Sequence, residues 1–168
     1  MTPVRLLIAL GFICTIAATA AETKPDIFLI EYQAFRPNLY FGLNDGPDTP
    51  TFTAIRSERE WRELWSQIEP RMSRDMAQSG PHAFPPIDFD RHTLLVAALG
   101  TRPTGGYSVS IHSVVEDPSR VLINVVALRP GKNCFSTLAV THPIALALIA
   151  KTSKRVQFST TTADLACN

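Results

Sequence analysis

Residues 93–115 read TLLVAALGTRPTGGYSVSIHSVV and contain the two strand patterns on which the fold prediction rests. The first seven residues are almost entirely apolar, which indicates a strand buried on both faces. From residue 107 onward apolar and polar residues alternate, which indicates a strand with one buried face. Between them, Gly105 and Gly106 supply the backbone freedom that a tight hairpin turn needs. The stretch therefore predicts two strands joined by a glycine-containing connection.

Further strand patterns occur on both sides of this stretch, separated by turn residues. They lie at residues 27–32, 39–43, 51–55, 121–128, 135–141, 144–150 and 156–160. Residues 144–150 also permit a short helix, since Ala and Leu favour one. Strands at this spacing predict a mainly β fold, bordering on α+β, with an antiparallel sandwich or barrel.

Residues 57–68 carry the pattern of an amphipathic helix. Ser57 and Glu60 form a capping box, and Pro70 is expected to end the helix. One helix face is apolar and consists of Trp61, Leu64, Trp65 and Ile68. We expect this face to pack on the sheet; a ligand platform is the alternative. Residues 70–89 then predict a long loop.

The first 21 residues have the organisation of a secretory signal peptide. Arg5 is the only charge among them, an apolar run follows, and Ala18-Thr19-Ala20 supplies small residues for cleavage after Ala20 or Ala21. A retained N-terminal anchor is the alternative. We predict a periplasmic or secreted protein. Residues 22–56 would add N-terminal strands and loops to a β domain at 57–168, as one compact domain.

Charge and hydropathy exclude two partner classes from the prediction. Without residues 1–21 the chain carries equal numbers of basic and acidic residues, so no basic patch for nucleic acid is expected. No later apolar stretch is long enough to span a membrane. The sequence makes no prediction about the oligomeric state.

Cys134 and Cys167 remain after Cys14 is removed with the signal peptide. An even pair in an oxidising compartment predicts a disulfide, which would tie down the C-terminal residues. In the chain-entropy description, closing such a loop stabilises the fold by roughly 3–4 kcal/mol. A reactive thiol is the alternative.

The residues that could carry chemistry form no recognisable catalytic or cofactor motif, and we expect no enzyme, cofactor or metal site. The histidines are scattered at His82, His92, His112 and His142. Asp88 and Asp90 share one face of an extended segment and could bind a cation or act as an acid/base pair, but a solvated start of a strand accounts for them too. Ser136 and His142 lack a residue to orient them for nucleophilic catalysis.

Two loops are the predicted binding residues. The first consists of Arg102, Pro103, Thr104, Gly105, Gly106 and Tyr107, and the second of Arg129, Pro130, Gly131 and Lys132. Glycine lets another chain approach the backbone, and tyrosine offers a large contact surface at low entropic cost. A structural turn is the alternative. If the first loop binds, Gly105→Val is expected to abolish binding and leave secretion intact.

Several segments in order resemble the C-terminal domain of PrcB, an accessory subunit of a secreted bacterial protease complex. They are SEREWRELW, PPIDFDRHTLLVAALG, TRPTGGYSVSI, LRPGKNCF, THPIALALIAK and KRVQFST with the last cysteine, between residues 57 and 167. The resemblance implies an exported, non-catalytic domain that binds or stabilises a protease-related partner. An envelope scaffold without a protease link is a further alternative.

The first loop has a second, looser resemblance, to the Asn-Pro-Thr-Thr-Gly-Tyr loop of chagasin-type cysteine-protease inhibitors. Arg102 replaces the asparagine of that loop, and Gly105 replaces its second threonine. The residues Leu128-Arg129-Pro130-Gly131 resemble the second inhibitor loop but lack its aromatic residue. This resemblance implies a protease inhibitor as the alternative function.

Overall fold

The computed structural model describes residues 28–29, 31–34, 46–75 and 84–167, without the side chains of 69–75. The predicted signal peptide at 1–21 and the predicted strand at 39–43 lie outside these residues. The strands are β1 (Phe28–Leu29), β2 (Gln33–Ala34), β3 (Thr51–Ile55), β4 (His92–Ala98), β5 (Ser108–Glu116), β6 (Arg120–Pro130), β7 (Ile144–Ala150) and β8 (Arg155–Leu165), and the helix is α1 (Glu58–Asp75).

The described strands form two four-stranded sheets, which confirms a mainly β sandwich and not a closed barrel. Sheet 1 has the order β1-β5-β6-β8, and sheet 2 has the order β2-β7-β4-β3. All of the pairs are antiparallel except β6 with β8, which is parallel over its whole length. Strands β8 and β3 are therefore edge strands of their sheets.

The connection between β4 and β5 is not the hairpin turn that the sequence suggested. Strand β4 pairs with β3 and β7 in sheet 2, whereas β5 pairs with β6 and β1 in sheet 1. Residues 99–107 therefore carry the chain from one sheet to the other. Gly100 and Gly106 adopt positive φ angles of 76° and 84° in this crossing, a conformation that glycine adopts without steric cost.

Two apolar clusters hold sheet 1, sheet 2 and helix α1 together as three layers. Between the sheets lie the inward side chains of β5 and β6 together with Leu95, Ala97 and Ile149. On the other face of sheet 2, the apolar face of α1 packs against Leu94, Val96 and Leu146. Residues 93–98 of β4 are buried throughout because both of its faces are covered, as the continuous apolar run predicted.

The start of α1 confirms the predicted capping box. The backbone N–H of Glu60 donates to Ser57 Oγ at 3.3 Å, and Glu60 Oε2 accepts from the N–H of Ser57 at 3.1 Å. A further bond from the Arg56 N–H is the largest reason why the pKa of Glu60 lies below its usual value. Trp61 is completely buried, and its Nε1 donates to the Pro85 carbonyl at 2.9 Å. The tryptophan face is therefore core.

The end of α1 differs from the prediction, because the helix continues past Pro70 to Asp75. A proline removes one N–H and costs a helix interior about 3 kcal/mol, but it does not forbid helical backbone. The turn before it is held on the sheet by the buried Trp65 and Ile68. The predicted loop at 70–89 is accordingly helical at its start, and residues 76–83 lie outside the described ranges.

Two of the predicted strands differ from the structure. Residues 135–140 contain no strand, and the segment's one β-bridge joins Thr141 to Arg102. Of the predicted strand at 27–32, β1 is present in sheet 1, and β2 begins just after the predicted end and belongs to sheet 2. Tyr32 lies between them and donates its hydroxyl to the Ile111 carbonyl at 2.7 Å, which fixes the chain where it changes sheets.

The predicted disulfide is present and joins Cys134 to Cys167 across 33 residues. It links the residues after β8 to the segment after β6. Strand β7, for which a helix was the alternative, is confirmed as a strand paired with both β4 and β2. In the ranges that the structure describes, no helix is long and apolar enough to cross a bilayer.

Candidate protein-binding site

Three segments meet at one end of the sandwich, and we call them together the loop surface: residues 102–107, 129–132 and 134–141. The Arg102 N–H donates to the Thr141 carbonyl at 2.8 Å, and the Thr141 N–H returns a bond at 3.0 Å. The Gly105 N–H donates to the Thr137 carbonyl at 2.9 Å, and Thr141 Oγ1 donates to the Thr104 carbonyl at 3.0 Å. The first and third segments therefore brace each other through their backbones.

The two glycines of the first segment serve this bracing. Gly105 is buried, and a Cβ at its position would collide with Thr137 Oγ1. A Cβ on Gly106 would lie 3.0 Å from Ser136 Oγ and 3.3 Å from Pro130 Cβ. Gly105 is thus required by close packing. The effect expected of Gly105→Val changes accordingly, because the added side chain would disturb the fold before it could report on binding.

The two predicted loops lie on the same groove, although Arg129 and Pro130 belong to β6 and not to a turn. The groove has a volume of about 480 Å³. Its walls include Arg102, Pro103, Tyr107 and Arg129 from the predicted loops, and Phe52 and Leu99 from the body of the sandwich. Of the second loop, only Gly131 and Lys132 belong to the turn after β6, which the Cys134 N–H closes by donating to the Gly131 carbonyl at 3.1 Å. Lys132 is exposed there.

The charges of the groove come from arginine. The Arg102 guanidinium lies 5.8 Å from the centre of the Tyr107 ring, within reach of a cation–π contact. Arg129 donates to the Asp164 carboxylate. That hydrogen bond raises the pKa of Arg129 and lowers the pKa of Asp164. Both side chains are exposed, so the pair orients Arg129 and adds little to stability.

The third segment carries apolar side chains that the sequence reasoning assigned to a strand. Phe135 is 98% exposed, Leu138 is 95% exposed and Val140 is 62% exposed. Their positions, three and then two residues apart, break the strict alternation of a half-buried strand, and this irregularity was the available signal. Cys134 anchors the segment at one end through the disulfide, and Thr141 anchors it at the other.

Among the described residues, the other candidates lie in separate turns, strands and ion pairs. Asp88 Oδ1 accepts the Asp90 N–H at 3.0 Å in a turn, and Asp90 lies 3.6 Å from Lys151 Nζ. His142 Nε2 lies 3.1 Å from Asp48 Oδ1. His92 and His112 lie on separate strands, β4 and β5, and His82 lies outside the described ranges. Within those ranges no group of three acidic, histidine or cysteine side chains is placed to hold a metal ion.

Ser136 is the remaining candidate residue. Its Oγ is buried without a hydrogen-bond partner among the described residues, beside Gly106. In the described part of the chain, no hydrogen bond joins Ser136 to His142, so the structure does not assemble these two residues into a catalytic pair.

Comparison with known proteins finds a family match for the middle of the chain. Residues 93–150 match the PrcB C-terminal family. The match covers about a third of the chain, from β4 to β7, and includes the glycine connection and the apolar third segment. Helix α1 and strand β8, which the resemblance in sequence also included, lie outside it. No curated protein and no solved structure was found to match the chain.

Proposed function

We propose that this chain is an exported, non-catalytic subunit that binds a protease or another subunit of a protease complex through the loop surface. Two features support the proposal. The match to the PrcB C-terminal family supports an association with a protease complex. The exposed apolar side chains on the braced third segment support binding through this end of the molecule.

The exposure of Phe135 and Leu138 is the observation that carries the proposal. Single exposed apolar residues are common on protein surfaces, but Phe135, Leu138 and Val140 are all exposed within six residues, and we call them together the apolar cluster. Such a concentration of exposed apolar side chains favours an interaction site. Aromatic side chains are also the ones most enriched at the energetic centre of interfaces. Here the cluster stands on a backbone held by the Cys134–Cys167 disulfide and by bonds to residues 102–105. Less conformational freedom is therefore lost on binding.

A protease inhibitor is the second candidate, and the exposed tip of the first segment supports it. Pro103 and Gly106 are exposed, so the crossing presents a narrow tip beside Tyr107. This tip differs from a free loop, since the Gly105 N–H already donates a hydrogen bond to the Thr137 carbonyl. An inhibitor would block a papain-like protease stoichiometrically, whereas an accessory subunit would leave activity intact and prolong the life of its protease.

The test is a pull-down from the native envelope fraction with the mature chain, read by mass spectrometry. The double variant Phe135→Ser/Leu138→Ser removes the apolar cluster, and Phe28→Ser/Leu29→Ser is the matched control because both of its side chains are also exposed. We expect a protease or protease subunit to be retained by the chain and the control and lost by the cluster variant. Equal retention by all three, or capture of unrelated proteins only, would contradict the proposal and favour an envelope scaffold.

A titration of papain with the chain separates the two candidates. We expect a flat activity curve up to micromolar chain, because the proposal assigns binding to the apolar cluster and not to a tip inserted in a cleft. A stoichiometric loss of activity that disappears in Tyr107→Ala would instead establish the inhibitor.

A further inference from the structure

In the part of the chain that the structure describes, no strand pairs with the outer edge of β8. Strand β8 is the last strand of sheet 1, and its parallel pairing with β6 uses only one side of its backbone. Residues 159–165 are exposed. An edge strand presents a row of N–H and C=O groups to which another strand can add, and most proteins protect such edges with charges, proline or bulges. The stretch Ser159-Thr160-Thr161-Thr162-Ala163 contains none of these protections.

Two pockets lie beside this edge, between β8 and the edge strand β3 of the other sheet. We call them together the gap, and one of them is the groove of the loop surface. Thr160 and Thr162 face it at one end, and Val156 and Phe158 face it at the other. Phe52 of β3 lines both parts of the gap, with its ring centre 6.0 Å from that of Phe158. A strand added to β8 would direct alternate side chains toward this apolar floor.

The walls of the gap are cationic. They include Arg56, Lys154 and Arg155 at one end and Arg102 and Arg129 at the other, and no carboxylate lines either part. Lys154 and Arg129 have carboxylate partners in Glu116 and Asp164. Arg56 uses its guanidinium on the carbonyls of Thr152 and Lys154, which leaves its charge uncompensated. Among the described residues, no carboxylate forms an ion pair with Arg56, Arg102 or Arg155.

We infer that the free edge of β8 binds an extended acidic segment of a partner protein by strand addition. Backbone bonds to residues 159–165 would supply affinity, as in other β-augmentation complexes. Acidic side chains would complement the arginines, and apolar ones would contact Phe52. A second copy of the chain fits less well, because pairing of two β8 edges would bring two cationic gaps together. One end of the gap is the groove of the loop surface. The inference rests on the β8 edge and not on Phe135 and Leu138, so it does not depend on the proposed function.

The experiment measures binding of a fluorescein-labelled ten-residue peptide to the mature chain. The peptide has glutamate at its first two and last two positions, to meet the cations at the two ends of the gap, and alternating valine and threonine between them. The same peptide with lysine in place of glutamate tests the charge. The acidic peptide methylated on every backbone nitrogen keeps the charge and removes the strand hydrogen bonds. We expect both control peptides to bind at least tenfold more weakly than the first. Equal binding of either control peptide, or no binding of the first, would overturn the inference.

Two proline variants locate the contact. Successive residues of a strand direct their N–H groups to opposite sides. One of the two variants Thr160→Pro and Thr161→Pro therefore removes an N–H that faces away from β6 and leaves the hydrogen bonds to β6 intact, whereas the other removes a bond to β6. Thermal unfolding identifies the variant that keeps the fold, and we expect it to bind the acidic peptide at least tenfold more weakly. If both variants unfold, the difference in affinity between the methylated and the unmethylated acidic peptide for the unaltered chain tests the strand addition instead. Unchanged binding in the folded variant would overturn the inference.

Three further measurements distinguish the β8 edge from the exposed apolar side chains of the loop surface and from self-association. Arg155→Glu should weaken binding of the acidic peptide several-fold, and an unchanged affinity would count against the charge argument. Phe135→Ser/Leu138→Ser should bind the peptide as the unaltered chain does, because neither residue lines the gap; a loss would place the peptide on those two side chains and overturn the inference. A dimer in sedimentation that dissociates in the folded proline variant would assign the edge to a second copy and overturn the inference.

Discussion

The helix–sheet core and the loop surface hold the same kinds of side chain in opposite environments. Trp61 is fully buried between α1 and sheet 2, whereas Phe135 is 98% exposed on the third segment of the loop surface. In the core, burial of the side chains fixes the backbone. On the loop surface, backbone bonds and a disulfide fix the segment while its apolar side chains face outward. Stability and binding are therefore assigned to separate residues, and each can be changed alone.

The largest expected effect is on the core side of this comparison. Trp61→Ala removes a fully buried ring and its bond to Pro85, and we expect it to lower the free energy of unfolding by about 3–5 kcal/mol. Urea unfolding followed by circular dichroism measures the change. Phe135→Ala is the control and should change stability by less than about 0.5 kcal/mol. Equal losses in the two variants would remove the distinction.

The disulfide comes next, because it supports the loop surface from outside the core. The double variant Cys134→Ser/Cys167→Ser should cost about 2–4 kcal/mol in the same assay. Reduction of the unaltered chain should give a similar loss and serves as the check on the serine side chains. A chain that unfolds at the same urea concentration with and without the bond would show that the loop surface is held by its backbone bonds alone.

Packing at Gly105 gives a smaller and more local effect. Gly105→Ala places a Cβ against Thr137 Oγ1, and overpacking of this kind costs typically about 1–3 kcal/mol. Adding Thr137→Ala removes the colliding oxygen and leaves the next contact at 3.5 Å. The double variant should therefore recover much of the loss, which a double-mutant cycle measures. Strictly additive losses would show that the collision is not the cause.

The smallest expected effect lies in the turn between β5 and β6, away from both regions. Asp117 accepts hydrogen bonds from Ser119 and Arg120, and those from Ser119 are the largest cause of its lowered pKa. A lowered pKa in the folded state means that the stabilisation is present above the unfolded value near 4 and is lost as the pH falls below it. In urea unfolding between pH 6 and pH 2, Asp117→Asn should reduce the dependence of stability on pH. Parallel profiles for the two proteins would contradict this assignment.

The sequence predicted the elements whose signals are local. Ser57 and Glu60 lie three residues apart, and the helix they cap begins where expected. The apolar run of β4 predicted burial on both faces, because its side chains are apolar on both sides of the sheet and each side needs a covering layer. The turn at residues 116–119 likewise follows from Asp117 and its neighbours.

The sequence failed where the outcome depends on distant pairing. A glycine-rich connection looks the same whether it closes a hairpin or crosses between sheets, and the choice here depends on β3 and β7. Strand β8 was predicted to end at residue 160 but continues to Leu165, because pairing with β6 carries it on after its apolar residues stop. The third segment was read as a strand since Phe135, Leu138 and Val140 are apolar, but their exposure follows from bonds to residues 102–105.

Photo-crosslinking in the native envelope is the most direct test of the claim that the partner binds the loop surface. A photoreactive phenylalanine analogue replaces either Phe135 or the equally aromatic, exposed Phe28 of β1. We predict that the analogue at position 135 crosslinks to a protease or protease-complex subunit, identified by mass spectrometry, and that the analogue at position 28 does not. The same partner captured from position 28 alone, or no partner from position 135, would contradict the assignment of binding to the loop surface.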